Sequence, residues 1–202
     1  MSTPIASIIV PVKNEPYLPI LLADIKTRMH QPYEVLVQTE KDLGYAVSQG
    51  IQRANGNIII IMDADGSHSP RYLPYMINQI QLGNADIVVG SRYKGGKTKD
   101  SFPRKVISRF YCELAKELFS LNVNDNMSGF IVAKKEVFMK YPIANNGFKI
   151  LLELLVKSKG TFRADEFSIT FEPRKLGKSK ANIKQGIQTL WFITKLYWKQ
   201  KQ

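Results

Sequence analysis

Asp63 and Asp65 flank a single alanine at the end of an apolar run, Asn57-Ile58-Ile59-Ile60-Ile61-Met62. Two carboxylates one residue apart, where a strand gives way to a loop, can turn two hard oxygens toward one cation. Mg²⁺ or Mn²⁺ suits such a pair, because the ion takes few protein carboxylates and completes its shell with water and phosphate oxygens. Alone, Asp-Ala-Asp is more often an Asx-type turn. The β-branched run before it and the Ser67-His68-Ser69-Pro70 turn after it favour a site. In an open parallel sheet, ligands bind at the carboxyl ends of the strands. His68 reads as a structural residue or hydrogen-bond donor rather than a metal ligand.

The elements that must hold this pair follow from hydrophobic period. Ala6 to Val12, Tyr33 to Val37, Asn57 to Met62 and Ala85 to Gly90 are short apolar runs with the look of buried strands. Between them, Leu18, Leu21, Leu22 and Ile25 recur at helical spacing, and helices are expected over Ala46 to Ala54 and Tyr72 to Leu82. The β-α-β-α-β alternation predicts a doubly wound, mostly parallel sheet with right-handed crossovers. A long amphipathic helix is expected from Arg104 to Leu121, and a further strand from Ser128 to Ala133.

At 202 residues with 44% hydrophobic content, the chain can bury one good core. Its 29 Lys and Arg against 17 Asp and Glu give a net charge of +12, which implies an anionic partner: nucleic acid, a lipid surface or a phosphorylated substrate. The single Cys112 excludes an internal disulfide framework and a cysteine metal cluster. Lys13-Asn14-Glu15 interrupts the first apolar run, so no signal peptide is expected. From Asn182 onward, Ile183, Ile187, Leu190, Trp191, Thr194 and Trp198 make a mostly apolar helical stripe among lysines. It is too charged to span a membrane and reads equally as an interfacial helix or as one packed on the core.

Seven segments carry a resemblance in their order: "IIVPVKNE" (8–15), "IIIIMDADGSHSP" (58–70), "ADIVVGSRY" (85–93), "RKVISR" (104–109), "DNMSGFIVAKKEVF" (125–138), "GFKILLELLVKSKG" (147–160) and "ITFEPRKLGKSK" (169–180). By these the chain resembles the dolichyl-phosphate mannose synthases among the inverting family-2 glycosyltransferases. The resemblance implies a GT-A (Rossmann-like) α/β domain over residues 1–180 and an amphipathic, membrane-interface helix over 181–202. It also implies transfer of a hexose, mannose foremost, from a nucleotide diphosphate sugar to a polyprenyl phosphate. GDP-mannose is the favoured donor and UDP-glucose the alternative. The enzyme would be cytoplasmic and peripheral to the membrane surface, with no nucleic acid as partner.

Carried over residue by residue, the resemblance implies a Mg²⁺ or Mn²⁺ site at Asp63, Asp65 and Ser67. It implies a nucleotide site of Pro11, Lys13, Glu15, Gln38, Asp63 and Ala64. Catalytic groups would be Asp65, Arg92, Arg104 and Arg174; Lys105, Arg109, Asp125, Ser128, Lys175 and Ser179 would meet acceptor or sugar. Arginine suits phosphate because its planar fork binds two oxygens and stays charged. Glu153 reads as a site wall or as a helix-face charge. A phosphate nucleophile is already ionised and needs cationic positioning, whereas a hydroxyl acceptor needs a base, for which Asp125 is the main candidate. A protein or glycan hydroxyl acceptor and a non-catalytic binding role are the alternatives.

One departure stands out. Where such proteins carry paired aspartates and a further β/α unit after the second strand, "EVLVQTEKDLGYAVSQG" (34–50) runs straight on, with Gln38 and Thr39 in the aspartates' place. The carboxylate expected to read the nucleobase is absent. A missing unit also leaves a sheet edge to be covered.

Overall fold

The computed structural model describes residues 3–40, 42–144, 147–176 and 183–200. Six strands form one sheet in the order β2-β1-β3-β6-β4-β7, with β1 at Ala6–Pro11, β2 at Tyr33–Gln38, β3 at Ile58–Ile61, β4 at Ile87–Ser91, β6 at Ile131–Lys134 and β7 at Ala164–Ser168. Every neighbouring pair is parallel except the two made by β6, which runs antiparallel between β3 and β4. A two-stranded ribbon, β5 (Lys97–Thr98) on β8 (Thr170–Phe171), stands beside the sheet.

The central strands are buried on both faces because helices cover both sides. On one side, α1 (Leu18–Arg28) and α3 (Leu73–Gln81) supply Leu21, Ile25, Met76 and Ile77 to a core with Ile8, Val10 and Ile60. On the other lie α2 (Leu43–Arg53), α4 (Phe102–Phe119), α5 (Lys135–Lys140), α6 (Ile150–Ser158) and α7 (Ile183–Gln200), around Ile9, Ile59 and Ile61. Helix α6 is apolar nearly all round and correspondingly buried. The anticipated mostly parallel α/β architecture is therefore the one observed. The expected boundary at 180/181 lies outside the described residues, but α7 packs on α4 and gives Ile193 and Leu196 to the core.

Two features of the sheet were not legible in period. Strand β7 reads Ala-Asp-Glu-Phe-Ser, and its two acids hide a strand whose only buried residue is Glu166. The reversed direction of β6 also leaves no mark in an apolar run. That reversal matters, because it brings the amino end of β6 to the edge where the parallel strands end. β2 is an edge strand, and among the described residues no strand covers its outer side. It is accordingly only partly buried along most of its length.

Candidate active site

Five loops converge on the carboxyl edge of the sheet: those after β1, β2, β3 and β4, and the one entering β6. Asp63 leaves β3 half-exposed, at 49% of its side-chain surface, whereas Asp65 turns inward. The turn between them is fixed from within. Asp65 Oδ1 accepts the Ser67 N–H at 3.0 Å, and the Asp63 N–H is donated to His68 Nδ1 at 3.1 Å. His68, expected to be structural or a hydrogen-bond donor, is structural and accepts through Nδ1. Its ring is buried, stacked on Phe130 with centroids 5.0 Å apart, and burial pushes its pKa below the ordinary imidazole value.

A second segment closes over this turn. The Lys175 N–H donates to Asp65 O at 2.9 Å and the Glu172 N–H to Ser67 O at 3.2 Å, so residues 172–175 lie along the 65–67 loop. Gly66 permits the approach: its φ is +80°, and a Cβ there would come 2.6 Å from Lys175 Cγ and 2.7 Å from Tyr17 Cε1. The result is a clamp in which Arg174 donates to Glu15 Oε2 at 2.6 Å and pairs with Asp65 Oδ2 at 3.1 Å. Glu15 is aimed there by Asn14, whose φ of 52° is one that asparagine adopts more readily than most residues.

At the end of β4, Arg92 is bound to Asp125 on the loop into β6. Its backbone N–H and Nε reach Oδ2 at 2.8 Å each, and Nη2 reaches Oδ1 at 2.6 Å. Asp125 has no exposed surface. Burial opposes the guanidinium charge, but the Asp125 carboxylate outweighs it and raises the Arg92 pKa further. Glu166 on β7 holds the loop in turn, accepting from the N–H groups of Asn124 and Asp125 and from the Ser91 hydroxyl. The sequence reading missed Glu166. Its only signal is an acid at the inward position of an unrecognised strand.

Around the nucleotide end predicted at Pro11, polar groups are buried without partners. Gln38, directly opposite Pro11 in the ladder, is 1% exposed, and neither its Oε1 nor its Nε2 makes a hydrogen bond. Glu15 Oε1 and Glu40 Oε2 are in the same condition. Unsatisfied groups of this kind cost about 1–3 kcal/mol each. Lys13 is exposed there and Ala64 buried.

Ser128 is buried and donates to Gly90 O at 2.7 Å, which makes it a support of the β6 loop. Arg104, Lys105 and Arg109 lie on α4, where Arg104 pairs with Asp100 at 3.7 Å and Arg109 with Glu113 at 3.6 Å. Lys175 is exposed beside Glu172. Glu153 is buried and not on a helix surface; it accepts from the Ala144 N–H and from Lys157 Nζ. Ser179 lies outside the described residues.

The donor set fits a small hard cation. Asp63 and Asp65 offer carboxylate oxygens, and the buried Ser67 Oγ has no hydrogen-bond partner. Among the described residues no group of three or more His, Cys, Asp and Glu forms a cage. A cation here would draw the rest of its shell from water and ligand phosphate, the pattern of Mg²⁺ and Mn²⁺ rather than of a structural metal. Beside Asp63 opens a cavity of about 190 Å³, whose walls include Pro11, Ser128, Gly129, Phe148 and Lys149.

Residues 31–142 match the family described as glycosyl transferase family 2. Dolichol-phosphate mannosyltransferase of Pyrococcus furiosus is 37% identical over 170 residues, 82% of this chain and 48% of the relative. Polyprenol monophosphomannose synthase of Mycolicibacterium smegmatis is 30% identical over 166 residues, 76% of this chain and 62% of the relative. The chain thus spans about half to three-fifths of the length of these curated relatives. Among solved structures, Mycobacterium tuberculosis glucosyl-3-phosphoglycerate synthase in complex with Mn²⁺, UDP-glucose and phosphoglyceric acid superposes with a TM-score of 0.72. That match covers 97% of this chain and 80% of the other at 13% identity, a likeness of fold.

Proposed function

The chain belongs to glycosyl transferase family 2, and from that premise we propose that it transfers a hexose, mannose foremost, from a nucleotide diphosphate sugar to the phosphate of a polyprenyl lipid. The observation that carries the reading is the pairing of cations with carboxylates at the sheet's carboxyl edge. Asp63 is half-exposed and Asp65 is shared between the Ser67 N–H and Arg174, while both oxygens of the buried Asp125 are taken by Arg92.

In this reading the nucleotide lies over Pro11, Lys13, Glu15, Gln38 and Ala64, where the unpartnered groups of Glu15 and Gln38 meet its polar edges. Asp63, Asp65 and Ser67 would hold Mg²⁺ or Mn²⁺, which would supply positive charge to the departing nucleoside diphosphate. Arg174 steadies Asp65 through the Glu15 clamp. Arg92 and Arg104, with Lys105, Arg109 and Lys175, give the acceptor a cationic setting. An acceptor phosphate oxygen forms the new bond to the anomeric carbon as the bond to the diphosphate oxygen breaks, with inversion.

No proton has to be removed from an ionised phosphate, so the step needs positioning and charge, not a base. That suits a site whose nearest candidate base, Asp125, has both oxygens occupied by Arg92. GDP-mannose is the donor we favour, in keeping with the names of the relatives at 30–37% identity, and UDP-glucose is the alternative.

A lipid acceptor requires a membrane-facing surface. No helix among the described residues is long and apolar enough to cross a membrane. Helix α4 instead exposes Phe102, Val106, Ile107 and Phe110, interleaved with Arg104, Lys105 and Arg109. Helix α7 exposes Ile187, Leu190, Trp191 and Trp198, with Lys195 Nζ 5.0 Å over the Trp191 ring. Aromatic side chains among basic ones suit an anionic membrane interface. The test compares labelled-sugar transfer to a short polyprenyl phosphate and to the matching polyprenol. Transfer to the phosphate alone is expected; transfer to the alcohol alone would move the protein to hydroxyl acceptors.

A further inference from the structure

The outer edge of β2 is unpaired among the described residues, and its sequence does nothing to guard it. Sheet edges are commonly kept apart by lysine, by proline within the strand or by a bulge. Tyr33-Glu34-Val35-Leu36-Val37-Gln38 contains no Lys, Arg or Pro, and all of it pairs with β1 in unbroken register. Its one charge is occupied within the chain: the Glu34 carboxylate accepts from the Ser7 hydroxyl and from the Asn55 N–H, each at 2.6 Å. Val37, by contrast, is 36% exposed.

The backbone decides what such an edge accepts. Gln38 O takes the Val12 N–H at 2.7 Å, so Gln38 faces β1, and by the alternation of a strand Leu36 and Glu34 face it as well. The N–H and C=O groups of Tyr33, Val35 and Val37 therefore point outward. These three residues are symmetric about Val35. An antiparallel second copy of β2, with Val35 on the twofold axis, uses every outward group: Val35 meets Val35, and Tyr33 meets Val37 in both directions. Tyrosine opposite valine is a favourable cross-strand pair. The flanks agree in charge. In this register the exposed Arg28 and His30, ahead of β2, come to the end where Glu40 and Asp42 of the second copy follow it. Arg28 is held there by nothing firmer than Asp24 at 3.3 Å on its own exposed helix face, and Lys41 between the two acids offsets only part of their charge.

We propose that β2 pairs with β2 of a second copy of this chain, in an antiparallel ladder centred on Val35 that joins the two sheets into one. The roughly six hydrogen bonds of that ladder, at about one per 100–200 Å², correspond to roughly 600–1,200 Å² of buried surface, the low end for a specific interface. The association is therefore a reversible one that appears at high concentration, and the net charge of +12 on each copy holds it there. The twofold axis stands perpendicular to the sheet, so the α4 and α7 layers of both copies, on the Ile9 side, lie on one side of the joined sheet. The pairing does not depend on the transfer reaction.

The experiment is sedimentation equilibrium of the full chain over roughly 5–500 µM, the span suited to an interface of this size, with Val35→Pro and Val37→Lys beside it. Val35→Pro deletes an N–H that faces outward and so breaks no bond to β1; Val37→Lys places a guarding charge at an exposed position. Circular dichroism and melting report that each variant is folded, and if Val35→Pro is not, Val37→Lys decides alone. The unsubstituted chain should show a monomer–dimer equilibrium, and each variant should weaken it at least about tenfold, the scale on which two hydrogen bonds lost per dimer act. Register is read by oxidising Val35→Cys: on-axis residues with Cα atoms about 5.5 Å apart are within disulfide reach and should link two chains, whereas Val37→Cys, which faces Tyr33, should not. A chain that stays monomeric throughout would overturn the proposal and leave the edge to a strand of another protein. A dimer that the folded variants retain, or that Trp191→Ser on α7 dissolves in their place, would overturn it by moving the interface to another surface. Equal linking through Val37→Cys would overturn the register.

Discussion

Arg92 and Asp125 join the end of β4 to the loop entering β6 through two side-chain hydrogen bonds of 2.8 and 2.6 Å, and the carboxylate has no exposed surface. The pair fixes a guanidinium at the site edge, and its geometry is specific to arginine. Asp125→Ala would leave that charge buried without a counterpart, with an expected loss of about 3–5 kcal/mol in urea unfolding. Arg92→Lys keeps the charge but not the fork, and transfer should fall while the fold is retained. A melt unchanged by Asp125→Ala would remove the pair from the account.

The single cysteine provides an independent check on packing. Cys112 is wholly buried on α4, and burial pushes its thiol up to about 12. Thiol reagents attack the thiolate, so labelling at about pH 8 should be at least roughly 100-fold slower in the folded protein than in urea. Rapid stoichiometric labelling of the native chain would contradict the packing of α4.

Acid stability should depend on Asp86. Burial raises its pKa, but hydrogen bonds from Lys134 Nζ and the Arg163 N–H outweigh that and leave it below the ordinary carboxylate value. Because the folded pKa is the lower one, its stabilising contribution is present above the unfolded value of about 3.9. That contribution is lost as pH falls through the folded value. Asp86→Asn should therefore flatten the acid side of the melting profile and lower stability near neutrality. An acid limb of unaltered steepness would exclude Asp86 as its source.

Much of the frame was legible in the sequence because burial on both faces writes itself as apolar runs, as in Ile58–Ile61. The reading was blind where polarity serves the interior. Glu166 sits inside β7, a segment whose two acids suggest surface, while the buried side chains of Gln38 on β2 and Glu153 on α6 lie in apolar runs where their burial follows from the neighbours rather than from their own polarity. Asp65, Glu15 and Arg174 were each legible as candidates, but their clamp depends on contacts across 50 and more residues, which no local pattern records. The short run after β2 led us to expect an exposed sheet edge there, and β2 is an edge strand.

Membrane association should depend on aromatic side chains that the core does not use. Phe102 and Phe110 on α4 and Trp191 on α7 are each at least 60% exposed. Replacing any one by serine is expected to weaken binding to anionic vesicles by roughly 1 kcal/mol, about fivefold, with added salt weakening it further. Sedimentation with vesicles measures this. A triple variant that still co-sediments like the unsubstituted protein would exclude these faces as the docking surface.

The most direct test is the reaction. GDP-mannose labelled in the sugar is incubated with a short polyprenyl phosphate in Mg²⁺, with Mg²⁺ plus excess chelator, and in Mg²⁺ with Asp65→Ala. The account predicts labelled lipid phosphate sugar in the first case, and a fall of at least about 100-fold in the other two, the scale on which loss of one charge-stabilising group acts. Transfer that persists undiminished with chelator and in Asp65→Ala would contradict the role assigned to the two carboxylates at the end of β3.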